Sequence, residues 1–208
     1  MENQLVDKPT LINRALVLHL GEAPVYSIDA EDDLSGSCDA AWDATIAHCF
    51  GLHDWTFARR TQKLDRLADR PENGWAYGFA LPGDRIGPPQ KLLRSIQPET
   101  PLRNYTLEAG NVYANEPSVW GRCKVLVDPE YWPIDWRVAF VIALGAALAK
   151  PVSEDGDLEQ TLRVEAFGTP SQEGTGGAFG RLIAQDRAAA PMPRSPWSDD
   201  PLTSARWG

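Results

Sequence analysis

The chain has 208 residues, of which 43 % are hydrophobic and 24 % charged, a composition typical of a globular protein with one core, or a core plus a small lobe. Twenty basic residues against 29 acidic ones give a net charge of −9, which disfavours a protein that wraps duplex DNA by neutralising phosphates. Residues 1–10 lack the pattern of a signal peptide, and the longest apolar stretch, Val138 to Ala149, is about half the length of a membrane span.

Two helices are predicted in the first quarter of the chain. The first covers Pro9–Leu20, with Asp7 or Thr10 near its N-cap and Gly21 as the residue that stops it. The second, Ser37–Gly51, begins at its capping serine. Its buried stripe at helical spacing is Cys38, Trp42, Ile46 and Cys49. The two cysteines lie roughly 16 Å apart along the helix axis, so we expect them to be core residues and not a disulfide pair.

Beyond residue 54 the apolar period changes to two, which is typical of strands. Over residues 75–81, large apolar side chains alternate with alanine and glycine until Pro82-Gly83 stops the pattern. The pair Gly110-Asn111 indicates a hairpin. Further strands are predicted at Trp55–Arg60, Leu92–Ile96, Asn104–Ala109, Val112–Ala114 and Cys123–Val127. Because these strands are short and close in sequence, they favour a small antiparallel sheet over a parallel α/β arrangement.

Three more helices are predicted after residue 132. The first, Ile134–Lys150, is apolar almost all round, and Pro133 fits its first turn. Such a helix must be packed against other elements on most sides, so a buried core helix is favoured over an interface helix. Both interpretations hold if some of those packing elements belong to another subunit. The shorter helices Leu158–Phe167 and Ala178–Ala190 are separated by the loop Gly168–Gly177.

The sequence contains no convergent catalytic set, so we predict that the protein is not an enzyme and needs no metal or cofactor. The acidic stretch 29–36 resembles a calcium loop, but Trp42 stands where a bidentate Glu is required. We interpret the stretch as a solvated loop. The run Gly174–Gly177 has Phe179 in place of the third glycine of a dinucleotide fingerprint. The three histidines, His19, His48 and His53, lack the partner spacing of a zinc site.

One concentrated basic cluster stands out in this acidic chain. It consists of Arg59, Arg60, Lys63, Arg66 and Arg70. Because Asp65 and Asp69 interleave with it, we favour a salt-bridged exposed face. The alternative is a contact with the acidic region Asp29–Asp43 of a neighbouring copy, since a head-to-tail ring needs two different complementary patches on each chain.

The segment Pro191–Gly208 is rich in Pro, Ser and Asp and has no periodic apolar stripe. We expect it to be disordered in the free protein. Disordered segments are usually poor in aromatic residues, so its two tryptophans indicate a segment that folds on a partner. The residues predicted to contact a partner or another subunit, from this segment and the basic cluster, are Arg59, Arg60, Trp197, Arg206 and Trp207.

The sequence resembles the head–tail connector (adaptor, or tail tubular protein A-like) family of tailed bacteriophages over roughly Thr10 to Lys150. The early matching residues are Asn13-Arg14-Ala15-Leu16, Leu20-Gly21, Pro24-Val25, Cys38, the run His53 to Ala58, and Leu64. The aromatic strand 75–85 and the segment 128–150, with its alanine-rich helix, continue the resemblance. The part from Gly168 onward departs from the longer charged helices that are common in the family.

The resemblance implies a structural protein of the virion neck, assembled in the bacterial cytoplasm. Copies in this family form a ring, typically of twelve, beneath the portal protein and extend the DNA channel toward the tail nozzle or tube. DNA would pass through without specific binding, and no membrane is involved. The alternatives are a tail-completion or stopper protein of the same neck region and a protein-binding module unrelated to phages.

The predicted fold class is therefore α+β, with a helical bundle of about four to five helices and a small antiparallel sheet inserted in the middle. The expected boundaries are a helical domain of residues 1–54 and 129–190, a β-rich insertion of residues 55–128, and a flexible tail of residues 191–208.

Overall fold

A computed structural model of the chain describes residues 6–24, 26–27, 33–172 and 175–189. Within them the fold is mixed α+β, with five α-helices and two four-stranded antiparallel sheets. The α+β class predicted from the sequence is confirmed. Two helices precede the strands and three follow them. The predicted tail from Pro191 onward and most of the acidic loop lie outside the described residues.

Helix α1, Lys8–Ala15, continues directly into a π-helical turn, Leu16–Leu20. Asp7 caps the helix, because its carboxylate accepts the Thr10 amide at 3.0 Å. Gly21 ends the π turn with a φ of +70°, a left-handed conformation that favours glycine. The predicted cap and stop are both confirmed.

Helix α2 spans Asp33–Gly51, so the prediction that Ser37 caps it is wrong. The helix begins a turn earlier, and the Ser37 hydroxyl donates to the Asp33 carbonyl four residues back, a bond that serine makes inside helices. The cysteines at positions 38 and 49 are buried, as predicted.

The eight strands form two sheets. They are β1 (Arg59–Lys63), β2 (Asp65–Arg66), β3 (Tyr77–Ala80), β4 (Lys91–Ser95), β5 (Thr100–Pro101), β6 (Tyr105–Glu108), β7 (Asn111–Ala114) and β8 (Trp120–Lys124). The first sheet has the order β1-β8-β4-β5 and the second β2-β3-β7-β6. The chain crosses between the sheets after β1, so pairing is not purely local.

Three strand predictions need correction. The predicted strand Trp55–Arg60 is a 3₁₀ turn over Thr56–Ala58, and the strand starts only at Arg59. The last strand lies three residues earlier than predicted, where it pairs with both β1 and β4. The β6–β7 hairpin turns on Ala109 and Gly110, with φ values of 47° and 79°. These positive φ values match a type I′ turn, and Asn111 already belongs to β7.

Helix α3 spans Ile134–Ser153, beyond the predicted end at Lys150. Pro151 is accommodated in its last turn because the carbonyl four residues before it belongs to Ala147, which is exposed. Glu154, with a φ of 54°, ends the helix. Helices α4, Gly156–Phe167, and α5, Gly177–Ala189, follow.

Two hydrophobic clusters stabilise the fold. The helical cluster takes its buried residues from positions 11–58 and 132–183 and is rich in aromatic rings. Trp132, for example, packs edge-on against Trp136 with ring centroids 4.6 Å apart. The smaller sheet cluster is Leu64, Phe79, Leu92, Leu102, Val112, Ala114 and Val119.

Helix α3 is central to the helical cluster and also apolar on its outer side. Among the described helices it is the one long and apolar enough to cross a membrane by length and composition, and 61 % of its most apolar window is buried. A core helix of a folded protein passes the same test, so the length and composition alone do not indicate a membrane span.

Candidate interaction surface

A large apolar groove lies between α1 with its π turn on one side and the first half of α3 on the other. Its volume is about 1150 Å³. The apolar lining consists of Val6, Val17, Leu18, Pro24, Ile134, Val138, Val141 and Ile142. Four of these side chains are substantially exposed: Val17 (45 %), Leu18 (68 %), Ile134 (71 %) and Val138 (58 %). We refer to this feature as the α1–α3 groove.

The outer face of α3 forms one wall of the groove because the helix has no polar side. Ile134 and Val138 are four residues apart and share one face, whereas Trp136 and Phe140 lie about 200° around the helix from them. Both aromatic residues are buried in the helical cluster. The sequence pattern that builds the core thus also leaves apolar side chains facing outward.

The opposite wall is the π turn, which approaches α3 closely at Gly145. A Cβ at that position would lie 2.9 Å from the Cβ of His19, closer than carbon atoms tolerate without a shift. The glycine therefore allows the π turn to seat on α3. Val17 and Leu18 lie in the same turn and stay exposed at the groove.

A polar network anchors α1 beside the groove. The Asn13 side chain donates to the Tyr26 carbonyl and accepts the Tyr26 amide, both at 3.0 Å. The Tyr26 hydroxyl donates to Asp39 of α2 at 2.6 Å, and Lys8 pairs with the same carboxylate at 2.7 Å. Hydrogen bonds from Lys8 and Tyr26 hold the pKa of Asp39 below its usual value. Burial, with help from this bond, raises the pKa of Tyr26.

Two arginines line the groove and make no ion pair within the described part of the chain. Arg14 of α1 and Arg137 of α3 both line it, and neither makes an ion pair or side-chain hydrogen bond within the described ranges. Glu165 lies at the same surface beside His19. Burial lowers the pKa of His19, while the nearby Glu165 carboxylate acts in the opposite direction. The groove is thus mainly apolar, and its charged lining residues are two unpaired arginines and one glutamate.

The predicted contact residues Arg59 and Arg60 lie elsewhere, on β1, and neither lines the groove. Arg60 donates to both carboxylate oxygens of Asp84 at 2.7 Å. Arg59 donates to the Gln90 side chain at 3.1 Å and to the Asp54 carbonyl at 3.3 Å. A salt bridge at the exposed face is therefore present, with Asp84 as its acid and not one of the interleaved aspartates.

The remaining predicted contacts, Trp197, Arg206 and Trp207, lie outside the described residues. Residues 29–32 of the acidic stretch lie outside them as well. The acidic-patch alternative is thus described only from Asp33 onward. Arg66 of the basic cluster stacks on Tyr77, with its guanidinium carbon 4.1 Å from the ring centroid, which uses that charge inside the second sheet.

Two further polar clusters connect elements of the fold. His53 shares a 3.0 Å contact with Asp186 of α5, and the same carboxylate accepts from Thr56. Lys124 is 7 % exposed and donates to the carbonyls of Phe50 at 2.6 Å and His53 at 3.0 Å. This lysine satisfies carbonyls at the end of α2. Within the described part of the chain, no group of three or more His, Cys, Asp or Glu could hold a metal ion.

The sequence analysis missed the groove residues, apart from leaving an interface role open for α3. The available signal was the lack of a polar side on that helix, which does not tell which face is left uncovered. The chain matches no protein-family profile, and no curated protein matches it either.

Proposed function

We propose that the protein is a structural head–tail connector, or adaptor, that forms a ring under a phage portal and extends the DNA channel toward the tail. The proposal combines the sequence resemblance with the α1–α3 groove. Monomeric proteins rarely leave large contiguous apolar surfaces exposed unless these bind something, and four large aliphatic side chains are exposed here. A subunit of a permanent assembly needs an exposed apolar surface of this kind to bind its neighbours.

The groove is the observation that carries the proposal. Its occupant in the ring would be a neighbouring subunit or the portal, and a ring requires a second, different patch on the same chain. The charged face of β1, with Arg59 and Arg60, is our proposal for that patch. We assign the protein no catalytic activity, metal or cofactor.

The net charge of −9 fits a channel component, because a negative lining lets DNA pass without sticking. Partners in this proposal are the portal protein, the tail nozzle or tube protein, and other copies of the chain, in a ring of about twelve as the resemblance implies. The protein would reside in the virion neck after assembly in the host cytoplasm.

The proposed domain arrangement is a helical domain of residues 1–54 and 129–190 with a β-rich insertion of residues 55–128. The separation of the helical cluster from the sheet cluster supports it. The segment 191–208 would act as a flexible tail that reaches a partner through Trp197, Arg206 and Trp207.

The experiment that tests the function is the solution mass of the purified protein, alone and mixed with the portal protein encoded beside it, by light scattering after size exclusion. We expect a species of low mass alone and a stoichiometric ring on the portal. A stable monomer or dimer that ignores the portal would contradict an adaptor and favour a stopper or an unrelated binding protein.

A variant pair tests the groove in the same assay. Val138→Lys places a charge on the exposed face of α3 and should abolish ring formation, because burying an unpaired ammonium group in a groove that already holds two arginines is costly. Leu107→Lys is the matched control, since Leu107 is a similarly exposed aliphatic residue on β6. Equal loss of assembly in both variants would contradict a specific role for the groove.

A further inference from the structure

The α1–α3 groove has a candidate occupant in the chain itself, the segment Ala190 to Gly208. The segment is mostly polar, and its four large apolar residues are spaced five apart: Met192, Trp197, Leu202 and Trp207. Burying a large apolar side chain stabilises by roughly 1.5–3 kcal/mol. The segment therefore has apolar side chains to bury, and the groove has exposed aliphatic walls against which they can pack.

The dimensions of the two match. Ile134 to Ile142, the part of α3 that lines the groove, extends about 12 Å along the helix axis. Two anchors five residues apart on an extended strand are separated by at most about 17 Å. Trp197 and Leu202 can thus both lie in one groove, whereas Trp207, five residues further on, falls beyond it.

The charges match as well. Between the two anchors lie Asp199 and Asp200, and the groove walls carry Arg14 and Arg137 without an ion-pair partner in the described ranges. Arginine binds carboxylates through two parallel hydrogen bonds. A segment with an apolar anchor on each side of two adjacent carboxylates is complementary to an apolar groove that has two arginines in its walls.

The segment can reach the groove in the same molecule. Helix α5 ends at Ala189 and packs through Phe179 on Trp136, on the side of α3 opposite the groove. Ala189 is ten residues beyond Phe179, about 15 Å along the helix axis. Trp197 follows eight residues later, a reach of up to about 27 Å, which covers that distance plus a helix diameter of about 10–12 Å. Tethering gives an effective concentration near the millimolar range, well above that of a second copy in dilute solution.

We infer that residues 197–202 occupy the α1–α3 groove of their own chain in the isolated protein. The aliphatic walls take Trp197 and Leu202, and the two arginines take Asp199 and Asp200. This contact does not depend on the chain being a connector. If the chain is one, the segment covers the assembly surface until a partner displaces it.

Photo-crosslinking of the full-length protein tests the contact directly. The variant Trp197→benzoylphenylalanine is irradiated at a dilution where light scattering shows a monomer, and the cross-linked peptides are mapped by mass spectrometry. We expect cross-links within one chain to residues 14–18 or 134–142. Cross-links that join two chains, or that fall outside these ranges, would overturn the inference.

Charge reversal supplies a second test by amide hydrogen exchange over residues 10–20. In full-length Arg14→Glu/Arg137→Glu, exchange should accelerate about tenfold, the loss expected when a site of ~100 μM affinity faces a millimolar local concentration. Combining this variant with Asp199→Arg/Asp200→Arg should restore slow exchange. Acceleration without restoration would overturn the charge pairing, because a merely destabilised α1 would not recover.

A matched pair inside the segment completes the test. Trp197→Ser/Leu202→Ser should accelerate exchange over residues 10–20 to the same extent, and Trp207→Ser should leave it unchanged. Equal effects of the two variants, or none, would overturn the assignment of the anchors. These measurements use the isolated chain, so their failure is distinct from a failure to form a ring on the portal.

Discussion

On one face of α3, Trp136 and Phe140 are buried among the aromatic rings of the helical cluster; on the opposite face of the same turns, Ile134 and Val138 are exposed in the α1–α3 groove. Both faces are equally apolar in sequence. The difference comes from what packs against each face: α2, α5 and the Trp55 region cover one side, whereas α1 and its π turn cover the other incompletely and leave the groove open. Apolar composition therefore marks surfaces that need cover, and tertiary packing decides which of them stays open.

The largest expected difference between the two faces is in stability. Trp136→Ala should lower the free energy of unfolding by about 3–5 kcal/mol, because it leaves a cavity among six neighbouring aromatic rings. Val138→Ala, on the exposed face, should change it by less than about 0.5 kcal/mol. Urea denaturation followed by circular dichroism measures both. Similar costs for the two variants would contradict the assignment of one face to the core.

The helices and their ends could largely be predicted from sequence, because helical spacing, Asp7 and Gly21 are local signals. The start of α2 could not be predicted, because the sequence does not distinguish a serine that caps a helix from a serine inside it that donates to the carbonyl four residues back. The division into two sheets depends on pairing of β1 with β8, about sixty positions apart, which no local pattern encodes.

The candidate site was less predictable than the fold. Helix α3 has no polar face, so its periodicity does not distinguish the side that Trp136 occupies from the side that Val138 occupies. The groove exists because the π turn seats at Gly145 and stops covering α3 beyond it. The buried Lys124, which bonds carbonyls at the end of α2, likewise had no signal in its own neighbourhood of the sequence.

The boundary between the covered and open parts of the groove face lies at Gly145. Gly145→Leu should cost about 1–3 kcal/mol of unfolding free energy, because the added side chain meets His19 and displaces the π turn. Ala147→Leu is the control, since Ala147 is exposed two positions further along the same helix. The measurement is again urea denaturation. A cost as small as that of the control would show that the π turn does not seat closely on α3.

A smaller effect distinguishes two tryptophans within the core face itself. The indole N–H of Trp132 donates to the Val127 carbonyl at 2.8 Å, whereas the buried N–H of Trp136 has no partner among the described residues. Both phenylalanine variants lose similar packing area, but Trp132→Phe also leaves a carbonyl unsatisfied. It should therefore cost about 1 kcal/mol more than Trp136→Phe. Thermal denaturation of the two variants under the same conditions measures this difference. A lower stability of Trp136→Phe than of Trp132→Phe would contradict the hydrogen-bond assignment.

The smallest expected effect is the pH response of the groove wall. Burial lowers the pKa of His19 from its ordinary value of 6.5, so as the pH falls below about 6.5 the unfolded chain binds a proton that the folded chain resists. The contribution of His19 is unchanged above that pH, and the free energy of unfolding decreases below it. His48, whose pKa burial also lowers, acts in the same direction.

His19→Gln should therefore lose less stability than the unmodified protein between about pH 7.5 and 5.5, measured by urea midpoints. The carboxylates of Asp7, Asp39 and Glu99 have pKa values lowered by their hydrogen bonds, so they lose their contribution only at more acidic pH and do not interfere in this window. His48→Gln should give a parallel decrease in pH dependence, and the double variant should combine the two, since the histidines lie on different helices. An unchanged pH dependence in His19→Gln would mean that the π turn opens to solvent, and the groove wall would then be mobile where the core face is fixed.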